Sequence, residues 1–187
     1  MHPFPKTALL FIMTFILGCS SVRVSQDYDP NTQIQNLKTY AWKLAKQEPT
    51  GDFRVDNPLL DARIRAAIDR NLGALGFQKI DEGTPDFYVA YQYAIQRKIE
   101  SDRLQTGVGF GIGSWGRSGG IGISTGTGVS EFDEGLMAID LSDAKDGSLL
   151  WRGSGSRRVN QHEDPARTTQ KINEMVDKIM AQLSSLG

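Results

Sequence analysis

Asp86-Phe87-Tyr88-Val89-Ala90-Tyr91-Gln92-Tyr93-Ala94-Ile95-Gln96-Arg97 decides the fold. Phe87, Val89, Tyr91, Tyr93 and Ile95 take every second position, and Tyr88, Ala90, Gln92 and Gln96 take the others. Successive strand side chains point to opposite faces, so this stretch reads as a long strand with one core face and one wetter face. A sheet of such strands needs one covering layer, and the flanking sequence supplies it.

Upstream, Asn57 can cap a helix that Pro58 opens and Gly76 ends, with Leu60, Ile64, Ile68, Leu72 and Leu75 at helical spacing. Downstream, Asp164 or Glu163 caps a second helix that has Pro165 in its first turn and a stripe of Ile172, Met175, Val176, Ile179 and Leu183. Further strands are read at Val22–Tyr28, Leu37–Trp42, Glu134–Leu141 and Ser148–Val159, with Asp146-Gly147 as a turn signal before the last. The expected fold class is α+β: an antiparallel sheet with two α-helices packed on one face, plus a glycine-rich β-hairpin or loop.

That glycine-rich insert, residues 104–128, sets Gly107, Gly109, Gly111 and Gly113 on alternate residues around Val108, Phe110 and Ile112. Gly120 and Gly122 repeat the pattern around Ile121 and Ile123. Period-two glycine gives strands with one bare and one apolar face, folded into a hairpin about Trp115; the alternative is a glycine-rich loop. Val108, Phe110, Ile112, Trp115, Ile121 and Ile123 form the expected interaction surface, since an exposed apolar hairpin marks a partner or membrane contact.

The amino-terminal end reads as an address. Lys6 precedes a short apolar run from Ala8 to Leu17, then Gly18 and Cys19, the one cysteine of the 187 residues. This is a secretory signal too short to span a bilayer. A cysteine at the cleavage point matches a bacterial lipoprotein signal: Gly18–Cys19 is cut and the Cys19 thiol carries lipid. The expected organisation is a signal peptide at 1–18, a lipidated amino terminus with the first strand at 19–35, and one domain at 36–187. Cleavage removes Lys6 and takes the formal net charge from −1 to about −2. No basic excess favours nucleic acid. With Cys19 acylated, no thiol remains for a disulfide, a thiolate metal site or a nucleophile. Ser20 after the cysteine points to the outer membrane, with the domain facing the periplasm.

The motifs that suggest catalysis lack their structural context. Gly111-Ile112-Gly113-Ser114-Trp115-Gly116 spells a dinucleotide fingerprint, with Glu131 downstream, but runs into Ser118-Gly119-Gly120 instead of a helix. Gly122-Ile123-Ser124-Thr125-Gly126 spells a nucleophile elbow, followed by Asp140 or Asp143 and then His162, but no helix follows Ser124. Ser142-Asp143-Ala144-Lys145 has a serine–lysine spacing set in a turn. Asp140, Asp143 and Asp146 fall at intervals of three, unlike a calcium loop, and His162 lacks a second imidazole for a transition metal. Tyr40, Trp42, Tyr88, Tyr91, Tyr93 and Trp151 could line a glycan groove, but alternating strand aromatics are more often core.

Several segments in order carry a resemblance: Asp27-Tyr28-Asp29, Lys38-Thr39-Tyr40-Ala41-Trp42, Asn57-Pro58-Leu59, Gly76-Phe77, Pro85-Asp86-Phe87 and Leu149-Leu150-Trp151-Arg152-Gly153. Behind a lipidated cysteine, this arrangement resembles a family of bacterial envelope lipoproteins catalogued as a domain of unknown function (number 4136). The resemblance implies a compact α+β lipoprotein domain with a variable glycine-rich insert, and brings no catalytic residues. The expected function is therefore a non-catalytic, lipid-anchored envelope protein with a structural or interaction role. No cofactor, metal or nucleic acid is expected; the membrane, through Cys19, and an envelope protein are the expected partners. Two alternatives stand beside it: a periplasmic domain binding glycan or a small ligand, and a serine hydrolase using Ser124 and His162.

Overall fold

The computed structural model describes residues 22–43, 46–101, 129–160 and 163–186. In chain order the elements are β1 (Arg23–Tyr28), a 3-10 turn (Ile34–Asn36), β2 (Thr39–Trp42), α1 (Pro58–Ala74), β3 (Gln78–Lys79), β4 (Phe87–Ser101), β5 (Val129–Asp143), β6 (Leu149–Val159) and α2 (Pro165–Ser184). Six strands form one sheet in the order β1-β6-β5-β4-β2-β3.

The alternation read from residues 86–97 is realised. Phe87 and Val89 are fully buried, and Tyr91 and Tyr93 nearly so. Antiparallel register carries the same face across the sheet, with Tyr91 opposite Ile139 and Ile139 opposite Gly153. Both helices pack on this face. Leu60, Ile64, Ala67, Ile68 and Leu72 of α1 are buried, as are Ile172, Met175, Val176, Ile179, Met180 and Leu183 of α2.

The helix ends follow their capping chemistry. The Asn57 side chain accepts from the Leu59 amide at 2.9 Å, and the Asp164 carboxylate accepts from the Arg167 amide at 3.0 Å. Gly76 takes φ +90°, which lets the Phe77 and Gly76 amides reach back to the Leu72 and Gly73 carbonyls, 3.0 Å in each case. Phe77 then turns inward and meets Phe87 edge-on at 5.2 Å.

One edge of the sheet departs from the expected antiparallel pairing. β2 runs parallel to both β3 and β4. The cause is α1: a helix between β2 and β3 returns the chain to its starting end, and such a crossover makes the next strand parallel. Asp86 pins the junction, its carboxylate accepting from the Lys38 and Thr39 amides at 2.8 and 2.9 Å. Those bonds, led by the one from Lys38, hold its pKa below the usual carboxylate range.

β4 and β5 are longer than their sequence patterns suggest, at 15 residues each against 11 for β6 and 6 for β1. Their pairing runs out to Ser101 opposite Val129, while β6 reaches along β5 only to Asp133. The two strands therefore project past the sheet as an arm. Residues 102–128 join its ends and lie outside the described residues, as do Gly18, Cys19 and His162.

Candidate functional site

The helix layer covers one face of the sheet and leaves the other open. Open positions alternate with the core positions and, Leu136 of β5 apart, carry small or polar side chains: Ala90, Gln92 and Ala94 on β4, Ala138 on β5, Ser154 and Ser156 on β6, Ser25 on β1. Because these side chains are short, the face is hollowed into a shallow trough of about 590 Å³. Leu136 and Ala138 give its floor an apolar line. The Ser25 and Ser154 hydroxyls meet at 2.9 Å on its β1 side.

Charge closes the trough at both ends. At one, Arg152 grips Asp140 through Nε and one Nη, each at 2.6 Å, and that carboxylate raises the guanidinium pKa. At the other, Glu134 is 2% exposed although it stands on the open face. Lys98 Nζ sits 2.5 Å from it and Gln96 donates at 3.2 Å. The bond from Lys98 is the main cause that holds the Glu134 pKa down. Beside it, the Arg158 guanidinium lies 3.9 Å over the Phe132 ring.

The opposite face shows what the aromatic residues do. Tyr40, Tyr91, Tyr93 and Trp151 are buried in the core, and Trp42 and Tyr88 are half-buried; Trp42, Tyr91 and Tyr93 also border a cavity of about 340 Å³ beside Gln47 and Arg65. Two acids of α1, two turns apart, take the polar ends of three aromatics. Asp69 accepts from Tyr40 Oη at 2.9 Å and from Trp42 Nε1 at 3.0 Å, and Asp61 accepts from Tyr91 Oη at 2.5 Å. Burial, then these bonds, push the Tyr40 and Tyr91 pKa values up. Burial alone is the leading cause for Tyr93, pushed up to about 12. Arg65 joins the network, bonding Asp61 at 3.0 Å and lying 4.2 Å over the Trp42 ring.

The Leu149–Gly153 segment has a packing explanation. Trp151 is fully buried, with Nε1 donating to Gln26 Oε1 at 3.0 Å. A Cβ on Gly153 would fall 2.2 Å from Trp151 Cη2 and 2.5 Å from Ile179 Cγ2. Glycine there lets the indole lie flat beneath α2.

Other expected site residues fall as follows. Cys19, Val108, Phe110, Ile112, Trp115, Ile121, Ile123, Ser124 and His162 lie outside the described residues. Asp143 and Asp146 accept from the Lys145 and Ser148 amides at 2.6 and 2.8 Å, as turn residues do. Ser142 is the last residue but one of β5 and Lys145 sits in that turn, so the pair lacks the helix its chemistry needs. Among the described residues no group of three or more His, Cys, Asp or Glu could hold a metal ion, and no helix is long and apolar enough to cross a membrane. The trough was the feature missed in the sequence. Its signal was present as alternating alanine and serine on three strands.

Fold and site together define an open-faced α+β domain: a mixed six-stranded sheet, two helices on one side, a bare trough on the other. The chain belongs to the family described as Domain of unknown function (DUF4136), whose profile matches residues 24–183. No curated protein matches it. Among solved structures it is similar to a PDZ domain protein from Parabacteroides distasonis, at 13% identity and a TM-score of 0.50. That match covers 87% of this chain and 36% of the other, so this chain spans about a third of that protein's length. Two structures of the PelC dodecamer from Paraburkholderia phytofirmans, one a point variant, match at 14% and 12% identity with TM-scores of 0.42 and 0.39. Each of those matches covers 85% of this chain and 97% of PelC. Likeness at this level of identity speaks to fold alone.

Proposed function

We propose that the protein is a non-catalytic, lipid-anchored envelope protein that presents its open sheet face to another envelope protein. The observation that carries this reading is the trough between Arg152–Asp140 and Lys98–Glu134, wide and shallow, floored by small side chains. A small-molecule site is usually a deeper concavity rich in apolar and aromatic groups, whereas the outward-facing side chains of this trough are Ala94, Leu136, Ala138, Ser154 and Ser156. A broad floor with hydroxyls and a charged rim suits a protein surface. The anchor is read from Gly18-Cys19-Ser20, which favours the outer membrane with the domain in the periplasm. The glycine-rich insert, through Val108, Phe110, Ile112, Trp115, Ile121 and Ile123, supplies a second contact.

A cross-linking pull-down from the native envelope tests the role. It compares the wild type with Ala138→Lys, which fills the trough, and with a copy lacking residues 105–127. A specific partner held by the wild type and weakened by Ala138→Lys supports the reading. The same partners at the same yield in all three, or none in any, contradict it. Labelled palmitate incorporated by the wild type but not by Cys19→Ala checks the anchor separately.

A further inference from the structure

We infer that the outer part of the β4–β5 arm rests on the phospholipid headgroups of the leaflet that holds Cys19, so that the domain sits on the membrane by this end of its sheet. The inference rests on the Cys19 anchor proposed above. Register supplies the geometry. Arg23 is level with Ser156, Ser156 with Leu136, and Leu136 with Ala94, which draws one line across four strands. From that line β1 runs inward to Tyr28, opposite Trp151. The chain before Arg23 therefore leaves from the end toward which β4 continues.

The two lengths differ. β4 runs seven residues past Ala94 to Ser101, paired with β5 throughout. At about 3.3 Å per residue the arm reaches roughly 23 Å beyond the level of Arg23. Cys19 lies four residues before Arg23, and any conformation of that tether spans at most about 14 Å. With the strands directed at the membrane, a tether shorter than the arm beside it brings the arm to the surface before the tether is fully extended. Upright, the arm overreaches the tether by roughly 10 Å; tilted, it lies along the headgroups. Inverting the domain would instead press the turn at Asp143–Gly147 into the bilayer, because β5 runs as far from Leu136 in that direction.

The side chains of this end suit a headgroup layer. On the open side Lys98 pairs with Glu134 and Arg158 lies over Phe132, and Arg23 stands at the same end, level with Ser156. On the other side Arg97 faces Glu131 at 3.8 Å. Long cationic side chains beside an aromatic ring place apolar stems low and charge at phosphate level.

Depth-dependent fluorescence quenching tests this on the full lipidated protein. Because Cys19 is acylated, a thiol introduced by Arg97→Cys on the arm, or by Lys145→Cys at the far turn, is the one site for a bimane label. The proteins are reconstituted in phosphatidylethanolamine–phosphatidylglycerol vesicles with a nitroxide on a fraction of the headgroups. Quenching several-fold stronger at position 97 than at 145 is expected, and a second arm label at Gln96→Cys should agree. Protein that floats with the vesicles yet shows equal quenching, or stronger quenching at 145, overturns the orientation while leaving the anchor standing. Protein that fails to float overturns the anchor, and this inference with it.

Discussion

The two faces of the sheet are made by the same strands and could hardly differ more. Between Phe87 and Ala94 one set of alternate residues is Phe, Val, Tyr, Tyr and the other is Tyr, Ala, Gln, Ala. The first set disappears under two helices; the second is left uncovered. Stability is invested on the covered face, through ring packing and the Asp61 and Asp69 bonds to tyrosine. The open face holds small side chains whose loss would cost little. What differs is the tolerance of each face to change, and mutation can measure it.

The largest effect is expected at Trp151. Trp151→Ala removes a fully buried indole and should lower stability by about 3–5 kcal/mol, read from urea unfolding. Gly153→Val attacks the same packing from the other side. Its new side chain must enter the space of Trp151 and Ile179, at a cost of about 1–3 kcal/mol. Asp86→Ala should cost about 1 kcal/mol through the lost bonds to Lys38 and Thr39. Ser154→Ala, in the trough, should change stability by no more than about 0.5 kcal/mol. A Ser154→Ala loss as large as that of Gly153→Val would erase the distinction between the faces.

Proton linkage sharpens the comparison. Asp56, Asp86 and Glu134 have folded pKa values below their ordinary ones. Their contribution is present above the unfolded carboxylate range near pH 4 and is lost as pH falls through the folded values. Tyr93 runs the opposite way. Its pKa is raised to about 12, so its contribution holds below about pH 10 and is lost as pH rises through about 12. Absorbance at 295 nm should show core tyrosines ionising only as the protein unfolds. Smooth titration of every tyrosine near pH 10, with the fold intact, would contradict the burial of Tyr40, Tyr91 and Tyr93.

Much of this was legible in the sequence because the signals were local. Alternation at residues 87–95 and the caps at Asn57, Gly76 and Asp164 depend on near neighbours, and both helices and the long strand follow from them. The parallel edge was not legible: whether β2 meets β4 depends on where α1 returns the chain, which no local pattern encodes. β3, two residues long, is too short to leave a period. The arm was read short because its outer part, near Lys98 and Ser130, carries polar residues where the inner part alternates. The trough went unread for a different reason. Alanine and serine on the wet side of a strand look like ordinary surface until register sets three such rows side by side.

Site-specific photo-cross-linking in the intact envelope tests the central claim most directly. It uses one photoreactive residue at Ser154, in the trough, and one at Lys178 on α2. The account predicts a discrete adduct with another envelope protein from position 154 and none from 178. Adducts from 178 alone, or identical patterns from both, would contradict it.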